Sequence, residues 1–177
     1  MNNTEYAALT AIGPDRIGIV DDLSAALETA GCNIEESKMA SLGGEFAVIL
    51  LISGSKKALS DAAVLIKTWE TDFRLSLTIK PTTGAKNTTG GIPYLIESVS
   101  MDQIGIVHRL TSALRRFNVN IEELDTETAA APWTGTQMFR VRMRVIAPLN
   151  TKIPDLKDAF DRIAREHNMD IVIHSKA

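Results

Sequence analysis

The sequence predicts an α+β protein of two ferredoxin-like βαββαβ domains, each an antiparallel sheet with its helices on one face. Two observations carry this prediction. A segment near the start of the chain recurs 87 residues later, and strand-like and helix-like patterns follow one another in the order βαββαβ in both halves. A length of 177 residues leaves room for two small domains. We therefore expect a duplicated domain.

The repeat is clearest between Asp15 and Glu36. This segment aligns without a gap on Asp102 to Glu123, and 12 of the 22 aligned positions are identical. Both copies carry Ile-Gly-Ile-Val near the start and close on Asn-Ile-Glu-Glu. A period of 87 residues is too long for a solenoid repeat. The stretch between the copies is rich in Gly, Thr and Pro, which favours a linker. The expected organisation is domain 1 over residues 1–80, a linker over 81–93 and domain 2 over 94–177.

The first copy opens with a strand over Tyr6–Ile12, which ends at Gly13-Pro14. Apolar residues then recur at the spacing of one helix face, and Gly31 is placed to end that helix. The residues of this face are Val20, Leu23, Leu27 and Ala30. Two strands follow, Asn33–Leu42 and Glu45–Ser53, joined by a tight turn at Gly43-Gly44.

A second helix and a last strand complete the first copy. The apolar positions of the helix are Leu59, Ala62, Ala63, Ile66 and Trp69. Leu75, Leu77 and Ile79 alternate with polar residues, as in a half-buried strand. Because crossover connections are right-handed, both helices should cover the same face of the sheet.

The second copy repeats this order. Its predicted elements are a strand over Tyr94–Val99, a helix through Val107, Leu110, Leu114 and Phe117, strands over Asn120–Thr128 and Gln137–Ile146, a helix through Leu156, Phe160 and Ile163, and a strand over Asp170–His174.

The third strands of the two copies differ in character. Phe46–Ile52 is apolar on both faces, whereas Phe139–Val145 alternates apolar residues with arginine. An apolar face favours a covered position and a charged one favours solvent. We expect the open face of the first copy to pack against the second copy or another subunit. The second copy should carry a charge ladder across its hairpin, formed by Arg140, Arg142 and Arg144 with Glu123, Asp125 and Glu127.

Composition excludes several classes of protein. A net charge of −3 and a pI near 5.6 indicate no basic surface for nucleic acid. The N-terminus has no signal-peptide pattern, and the longest apolar run, Phe46–Ile52, is too short to span a bilayer. The single cysteine, Cys32, suits a reducing compartment. A cytoplasmic protein without a membrane segment is expected.

No catalytic, metal or cofactor site emerges from the sequence. His108, His167 and His174 lack metal-ligand spacing, so they are interpreted as surface or helix-end residues. Neither a Walker A loop nor a dinucleotide fingerprint is present. Cys32 begins a predicted strand, where a buried free thiol is expected. We predict that the protein is not an enzyme.

The shared strand–helix junctions are the candidate site. One interpretation is structural: the Asp caps the helix and the Gly eases a tight corner. The other is functional: open helix N–H groups hold a carboxylate, and an Asp or Asn accepts from an ammonium group. The candidate ligand-binding residues are Asp15, Arg16, Ile17, Gly18, Ile19 and Asn33, and Asp102, Gln103, Ile104, Gly105, Ile106 and Asn120.

These junctions, together with the βαββαβ order, resemble the ACT domain, a ligand-binding regulatory module. Gly31–Ser37, Leu42–Phe46 and Leu50–Ser55 resemble the first domain of the tandem-ACT glycine cleavage system transcriptional repressor family. The resemblance implies side-by-side packing of ACT units, amino-acid binding at their interface near the strand 1–helix 1 loop, and regulation through a partner protein. Two features depart from the family: Ile17 stands where Pro is frequent, and the Ala129–Gly135 hairpin is particular to this chain.

The expected function is an amino-acid-responsive regulator. Glycine or a similar small amino acid would be the effector, a transcription-activator protein the partner, and a homo-oligomer the assembly, without direct contact with nucleic acid. One alternative is a stand-alone ACT interaction module that regulates a metabolic enzyme without a working ligand site. Another is an RNA-binding module, which needs exposed aromatic residues on the strands. Phe46 and Phe139 are the aromatic residues available on the third strands.

Overall fold

The computed structural model describes residues 4–84 and 90–175. The chain divides into two compact units, Met1–Asn87 (unit 1) and Thr88–Ala177 (unit 2). The elements of unit 1 are β1 (Glu5–Pro14), α1 (Ile19–Thr29), β2 (Asn33–Leu42), β3 (Glu45–Gly54), α2 (Lys56–Phe73) and β4 (Ser76–Thr82). Those of unit 2 are β5 (Gly91–Met101), α3 (Ile106–Arg116), β6 (Asn120–Ala130), β7 (Gln137–Pro148), α4 (Ile153–His167) and β8 (Met169–Ser175).

Each unit contains one antiparallel sheet. The strand order is β2-β3-β1-β4 in unit 1 and β6-β7-β5-β8 in unit 2, so the first strand of each unit is central and lies between the third and the fourth. The predicted ferredoxin-like fold class is confirmed. In both units the helices cover one face, and the core lies between that face and the helices.

The centre of each core is an equivalent residue on the central strand. Leu9 of β1 lies opposite Leu50 and Ile79, and Ile96 of β5 lies opposite Met143 and Ile173. Leu9 and Ile96 are both fully buried. Phe46 also points into the core and is buried. That position removes it from base stacking and argues against an RNA-binding surface on this strand.

Local signals in the sequence explain where the elements begin and end. The hydroxyl oxygen of Ser55 accepts a hydrogen bond from the Ala58 N–H at 3.1 Å and caps α2. Gly31 follows α1 with φ +75°, as a glycine after a helix end should. The β2–β3 turn requires two positive φ angles, +62° at Gly43 and +86° at Gly44. The predicted helix end at Gly31 and the predicted turn at Gly43-Gly44 are confirmed.

The open faces of the two sheets differ as expected from their sequences. In unit 1, Ile49 exposes 50% of its surface and Leu42 exposes 76%. In unit 2, Arg140, Arg142 and Arg144 lie opposite Glu127, Asp125 and Glu123 respectively, so the predicted ladder is in register. Arg144 Nη2 lies 3.1 Å from Glu123 Oε2. The Nε of Arg142 lies 3.7 Å from a carboxylate on the other neighbouring strand, that of Glu97.

Paired strands extend into both ends of the predicted linker. Thr82 pairs with Tyr6, and Gly91 pairs with Pro148. Residues 85–89, at the centre of that linker, lie outside the described residues. The boundaries at 80/81 and 93/94 stay a prediction. No helix in the described ranges is both long and apolar enough to cross a membrane.

Candidate functional site

A left-handed glycine starts the first helix of each unit. Gly18 has φ +86° and ψ −1°, and Gly105 has φ +93° and ψ +6°. Residues with a Cβ adopt this conformation only at a cost, so both positions favour glycine. Each glycine is the N-cap residue of its helix, and neither helix has a side-chain cap. The interpretation of the Asp as the cap is therefore wrong, because the helix begins four residues after it.

Asp15 is held in another way. Its main-chain N–H donates to the Gly44 carbonyl at 2.9 Å, and its carboxylate accepts from the Ser41 hydroxyl at 2.6 Å. The Asp102 N–H donates to the Gln137 carbonyl at the same distance, 2.9 Å. Both Asp residues thus fix the end of the first strand to the neighbouring hairpin. The Ser41 hydroxyl occupies one acceptor position of the Asp15 carboxylate and leaves the others exposed.

The uncapped helix starts expose main-chain donors. The first hydrogen bonds of the helices run from the Asp22 N–H to the Gly18 carbonyl and from the Arg109 N–H to the Gly105 carbonyl. The N–H groups of the three residues between each pair have no intrahelical acceptor. Since positive partial charge collects there, each junction has the geometry to hold a carboxylate.

The side chains around these donors reverse their charge between the units. The first turn of α1 carries Asp21 and Asp22, whereas α3 carries His108 and Arg109 at the equivalent positions. Two carboxylates compete with an incoming anion for the helix start, and a guanidinium attracts it. The junction of unit 2 is electrostatically the better carboxylate site.

An arginine approaches the loop carbonyl in both junctions, from different positions. In unit 1, Arg16 Nη2 donates to Asp22 Oδ2 at 2.6 Å, and its Nη1 lies 3.4 Å from the Ile17 carbonyl oxygen. In unit 2, Arg109 Nη1 donates to the Ile104 carbonyl at 2.9 Å. Arg109 was not predicted from the sequence, although the exchange of Asp22 for Arg109 in the aligned repeat was a signal for it.

The remaining candidates separate into several environments. Ile17 and Ile104 are fully exposed at the loop tips, whereas Ile19 and Ile106 are buried in the cores and offer only main-chain atoms. The side-chain amide of Gln103 donates to the carbonyl of His167 at 3.1 Å, which ties the unit 2 loop to the end of α4.

Asn33 and Asn120 lie at the far end of their sheets. Asn33 pairs with Ser53, which lies opposite Tyr6, so nearly the whole of β1 separates it from Asp15. Nine strand residues span roughly 30 Å. Asn120 pairs with Ile146, opposite Pro93, and is separated from Asp102 in the same way. The structure therefore does not bring either Asn to the junction of its own unit.

Cys32 is buried, as predicted. Burial raises the pKa of its thiol, and the negative charge of Asp61 raises it further. A thiol held protonated is a poor nucleophile at neutral pH. His167 is the last residue of α4, in agreement with the helix-end interpretation, and exposed His174 lies 3.4 Å from Glu97.

Comparison with known proteins relates the first unit, which contains the Asp15–Ile19 junction, to a known family. Residues 5–79 match the model of the ACT domain family. The glycine cleavage system transcriptional repressor of Escherichia coli (strain K12) is 28% identical over 170 residues, which cover 95% of this chain and 88% of the repressor. The corresponding protein of Shigella flexneri matches to the same extent.

Two solved structures cover almost the whole chain. A protein from Galdieria sulphuraria, described only as an unknown protein, superposes with a TM-score of 0.81 and 30% identity, covering 99% of this chain and 100% of that one. A protein provisionally named a glycine cleavage system transcriptional repressor superposes with a TM-score of 0.73 and 22% identity, covering 97% and 96%. The second likeness supports the fold alone.

Proposed function

We propose that the chain is an amino-acid-responsive regulator and not an enzyme, because residues 5–79 match the ACT domain family and the whole chain resembles the glycine cleavage system transcriptional repressor. Its effector is a small amino acid such as glycine, and its output is a contact with a transcription-activator protein in the cytoplasm. The regulatory name of the E. coli relative supports this class of function.

One observation carries the ligand assignment. Both units place a left-handed glycine at an uncapped, exposed helix start. The main-chain donors at that start suit the carboxylate of an amino acid, and the acceptor oxygens of Asp15 or Asp102 suit its ammonium group. We assign the stronger site to the junction of unit 2, where Arg109 adds positive charge and no acidic residue occupies the first turn.

Isothermal titration of the full chain with glycine, serine, alanine and larger amino acids tests this assignment. Glycine should bind, and Gly105→Val should abolish the binding because the added side chain fills the space in front of the exposed N–H groups at the start of α3. The matched control is Gly135→Val, at a hairpin glycine that also has a positive φ, +70°, and has nothing within 4 Å of an added Cβ. Failure of every amino acid to bind would overturn the assignment.

Regulation through a protein partner rather than DNA forms part of the proposal. The net charge of −3 opposes binding to a phosphate backbone. Fluorescence anisotropy with a labelled DNA duplex at low salt checks this point, since low salt strengthens any electrostatic contact. The expected result is an unchanged anisotropy up to tens of micromolar protein. Salt-sensitive binding with micromolar affinity would contradict the indirect route.

A second candidate function follows from the junction of unit 1. There the Asp15 carboxylate already accepts a hydrogen bond from Ser41, and Asp21 and Asp22 oppose an anion. These contacts favour an interaction module without a working ligand site in that unit, such as one that regulates a separate enzyme. In that case, Gly18→Val would leave partner binding intact.

Self-association completes the proposal. The half-exposed Ile49 and Ile12 and the more exposed Leu42 lie on the open face of unit 1, and apolar patches of this kind occur at protein interfaces. We assign the face to a second copy of the chain. Sedimentation velocity should show a dimer or larger species that Ile49→Arg converts to monomer. A wild-type monomer at 100 μM would exclude the assembly.

A further inference from the structure

Helices α3 and α4 of unit 2 flank an open groove of about 430 Å³ that begins at the unit 2 junction, where His108 and Arg109 line it, and continues along both helices to Arg116 and Arg162. Its lining is strongly basic. The charged and titratable residues along it are Arg109, Arg116, Arg162, His108 and His167, with Glu166 as the one carboxylate among the lining residues. A volume of this size falls within the range of small-molecule sites.

The positively charged side chains of this groove outnumber its one carboxylate. In the described part of the chain, no carboxylate lies within the 4.0 Å ion-pair distance of the guanidinium groups of Arg109, Arg116 or Arg162. Arg109 donates to the uncharged Ile104 carbonyl. Three guanidinium groups along a groove with one carboxylate give it a net positive charge, which attracts an anion.

The fold does not demand this charge. In the repeat, His108, Arg109 and Arg116 occupy the positions of Asp21, Asp22 and Thr29. The same helix of the same fold is therefore built in unit 1 with acidic and neutral residues. Packing therefore does not require arginine at these positions of unit 2.

The surroundings limit the size of the anion. A neighbouring depression shares Arg162 and is lined by Asp155, Asp158 and Asp161. An extended phosphate backbone that ran along α4 would meet these three carboxylates, whereas a compact anion would not. Guanidinium groups bind phosphate oxygens with paired, charge-assisted hydrogen bonds.

We propose that the α3–α4 groove of unit 2 binds a compact phosphate ester or diphosphate, held by Arg116 and Arg162 and completed by Arg109. This site shares Arg109 with the amino-acid site proposed above, but Arg116 and Arg162 lie outside that junction, so the groove can bind an anion whether or not the amino-acid site is occupied. A phosphorylated small molecule would then give the regulator a second input, adjacent to the unit 2 loop through the contact of Arg109 with Ile104.

Titration of the full chain with pyrophosphate, and in parallel with adenosine diphosphate, tests the proposal by calorimetry. Wild-type protein should bind one equivalent. Arg116→Gln and Arg162→Gln should each weaken binding about tenfold, as expected for loss of a charge-assisted contact. Arg115→Gln is the matched control because it removes the same charge from the neighbouring position of α3, which does not line the groove. Circular dichroism verifies that each variant is folded.

Three results would overturn the proposal: no binding of either probe by the wild type, equal weakening by Arg115→Gln, or tighter binding of a single-stranded oligonucleotide that the same two variants abolish. The last result would assign the groove to nucleic acid.

A glycine titration of Arg116→Gln separates this site from the proposed function. Loss of pyrophosphate binding with unchanged glycine binding supports two sites, and loss of both would contradict them.

Discussion

The first helices of the two units have the same backbone but opposite charge. α1 and α3 each run for 11 residues after a left-handed glycine, and their buried faces match at Leu23 and Leu110 and at Leu27 and Leu114. On the solvent side α1 carries acids, whereas α3 carries histidine and arginine and no acid. Burial maintains one face of the helix after duplication, and the other face is free to change. The difference between the units therefore lies on the face that folding leaves free to vary, which is also the face on which the two units can differ in chemistry.

The largest expected effects come from the equivalent core positions. Leu9→Ala and Ile96→Ala should each destabilise their own unit by about 2–5 kcal/mol, because both side chains are fully buried. Replacing Trp133 by Phe leaves the buried Trp69 as the tryptophan, so its fluorescence during urea unfolding reports on unit 1. Hydrogen exchange of the main-chain amides reports on unit 2. Val64→Ala on the exposed side of α2 is the control and should change stability by less than about 0.5 kcal/mol. If either substitution lowered the free energy of unfolding by less than about 1 kcal/mol, the two core positions would not be energetically equivalent.

The junction glycines should show a smaller and unequal effect. Gly18→Ala and Gly105→Ala each place a Cβ on a left-handed residue, at a cost of about 1–2 kcal/mol. The cost should be higher at Gly105, where the Cβ would lie 3.0 Å from Arg109 Nη1, than at Gly18, where Arg16 Nη1 is 4.0 Å away. Thermal unfolding measures both. Gly90→Ala, with open space around the Cβ and no positive φ, is the control. Equal costs would show that Arg109 does not confine the loop.

The two arginines should differ in their response to salt. Arg16 and Asp22 form an exposed ion pair, with 38% and 40% of their side chains accessible, so Arg16→Gln should cost at most about 1 kcal/mol and nothing measurable in 1 M NaCl. Arg109→Gln removes a hydrogen bond to an uncharged carbonyl, so its cost of about 1 kcal/mol should persist in salt. Urea titrations at low and high salt distinguish the two. An identical salt dependence would contradict the assigned contacts.

Acid should weaken unit 1 through two glutamates. Hydrogen bonds from Ser53 and Asn33 lower the pKa of Glu35, and those from Lys67 and the Leu77 N–H lower the pKa of Glu70. A lowered folded-state pKa means that the stabilisation is present above the ordinary carboxyl range and is lost as the pH falls through it. The urea midpoint reported by Trp69 should therefore decrease from pH 6 to pH 3.5. Glu70→Gln should reduce the decrease, whereas Glu28→Gln, whose side chain makes no hydrogen bond in the described residues, should not.

Much of the fold could be predicted because its signals are local. The spacing of Leu23 and Leu27 indicates a helix, and Gly43-Gly44 indicates a hairpin, whatever the rest of the chain does. The charge ladder was predictable as well, since a hairpin turn sets the register between Glu123 and Arg144. These features depend on neighbours in the chain or on one turn.

The candidate site was predictable in part. The repeat pointed to Gly18 and Gly105, and both have the positive φ that makes glycine necessary there. Asn33 was grouped with Asp15 because both lie in the matched segment, but α1 runs the length of the sheet between them. The hydrogen bond from Ser41 to Asp15 crosses from one hairpin to the end of another strand. No spacing in the sequence encodes such a contact.

The sequence by itself determined the duplication, the order of elements, the faces that are buried and the charge difference between the copies, because periodicity and side-chain chemistry are properties of the chain. Only the tertiary structure decided that glycine and not Asp begins each helix, that Arg109 reaches the Ile104 carbonyl, and that Arg116 and Arg162 line one groove. Those facts depend on which helices and loops lie side by side. Residues far apart in the sequence come within contact distance only after the strands have paired and the helices have packed on the sheet.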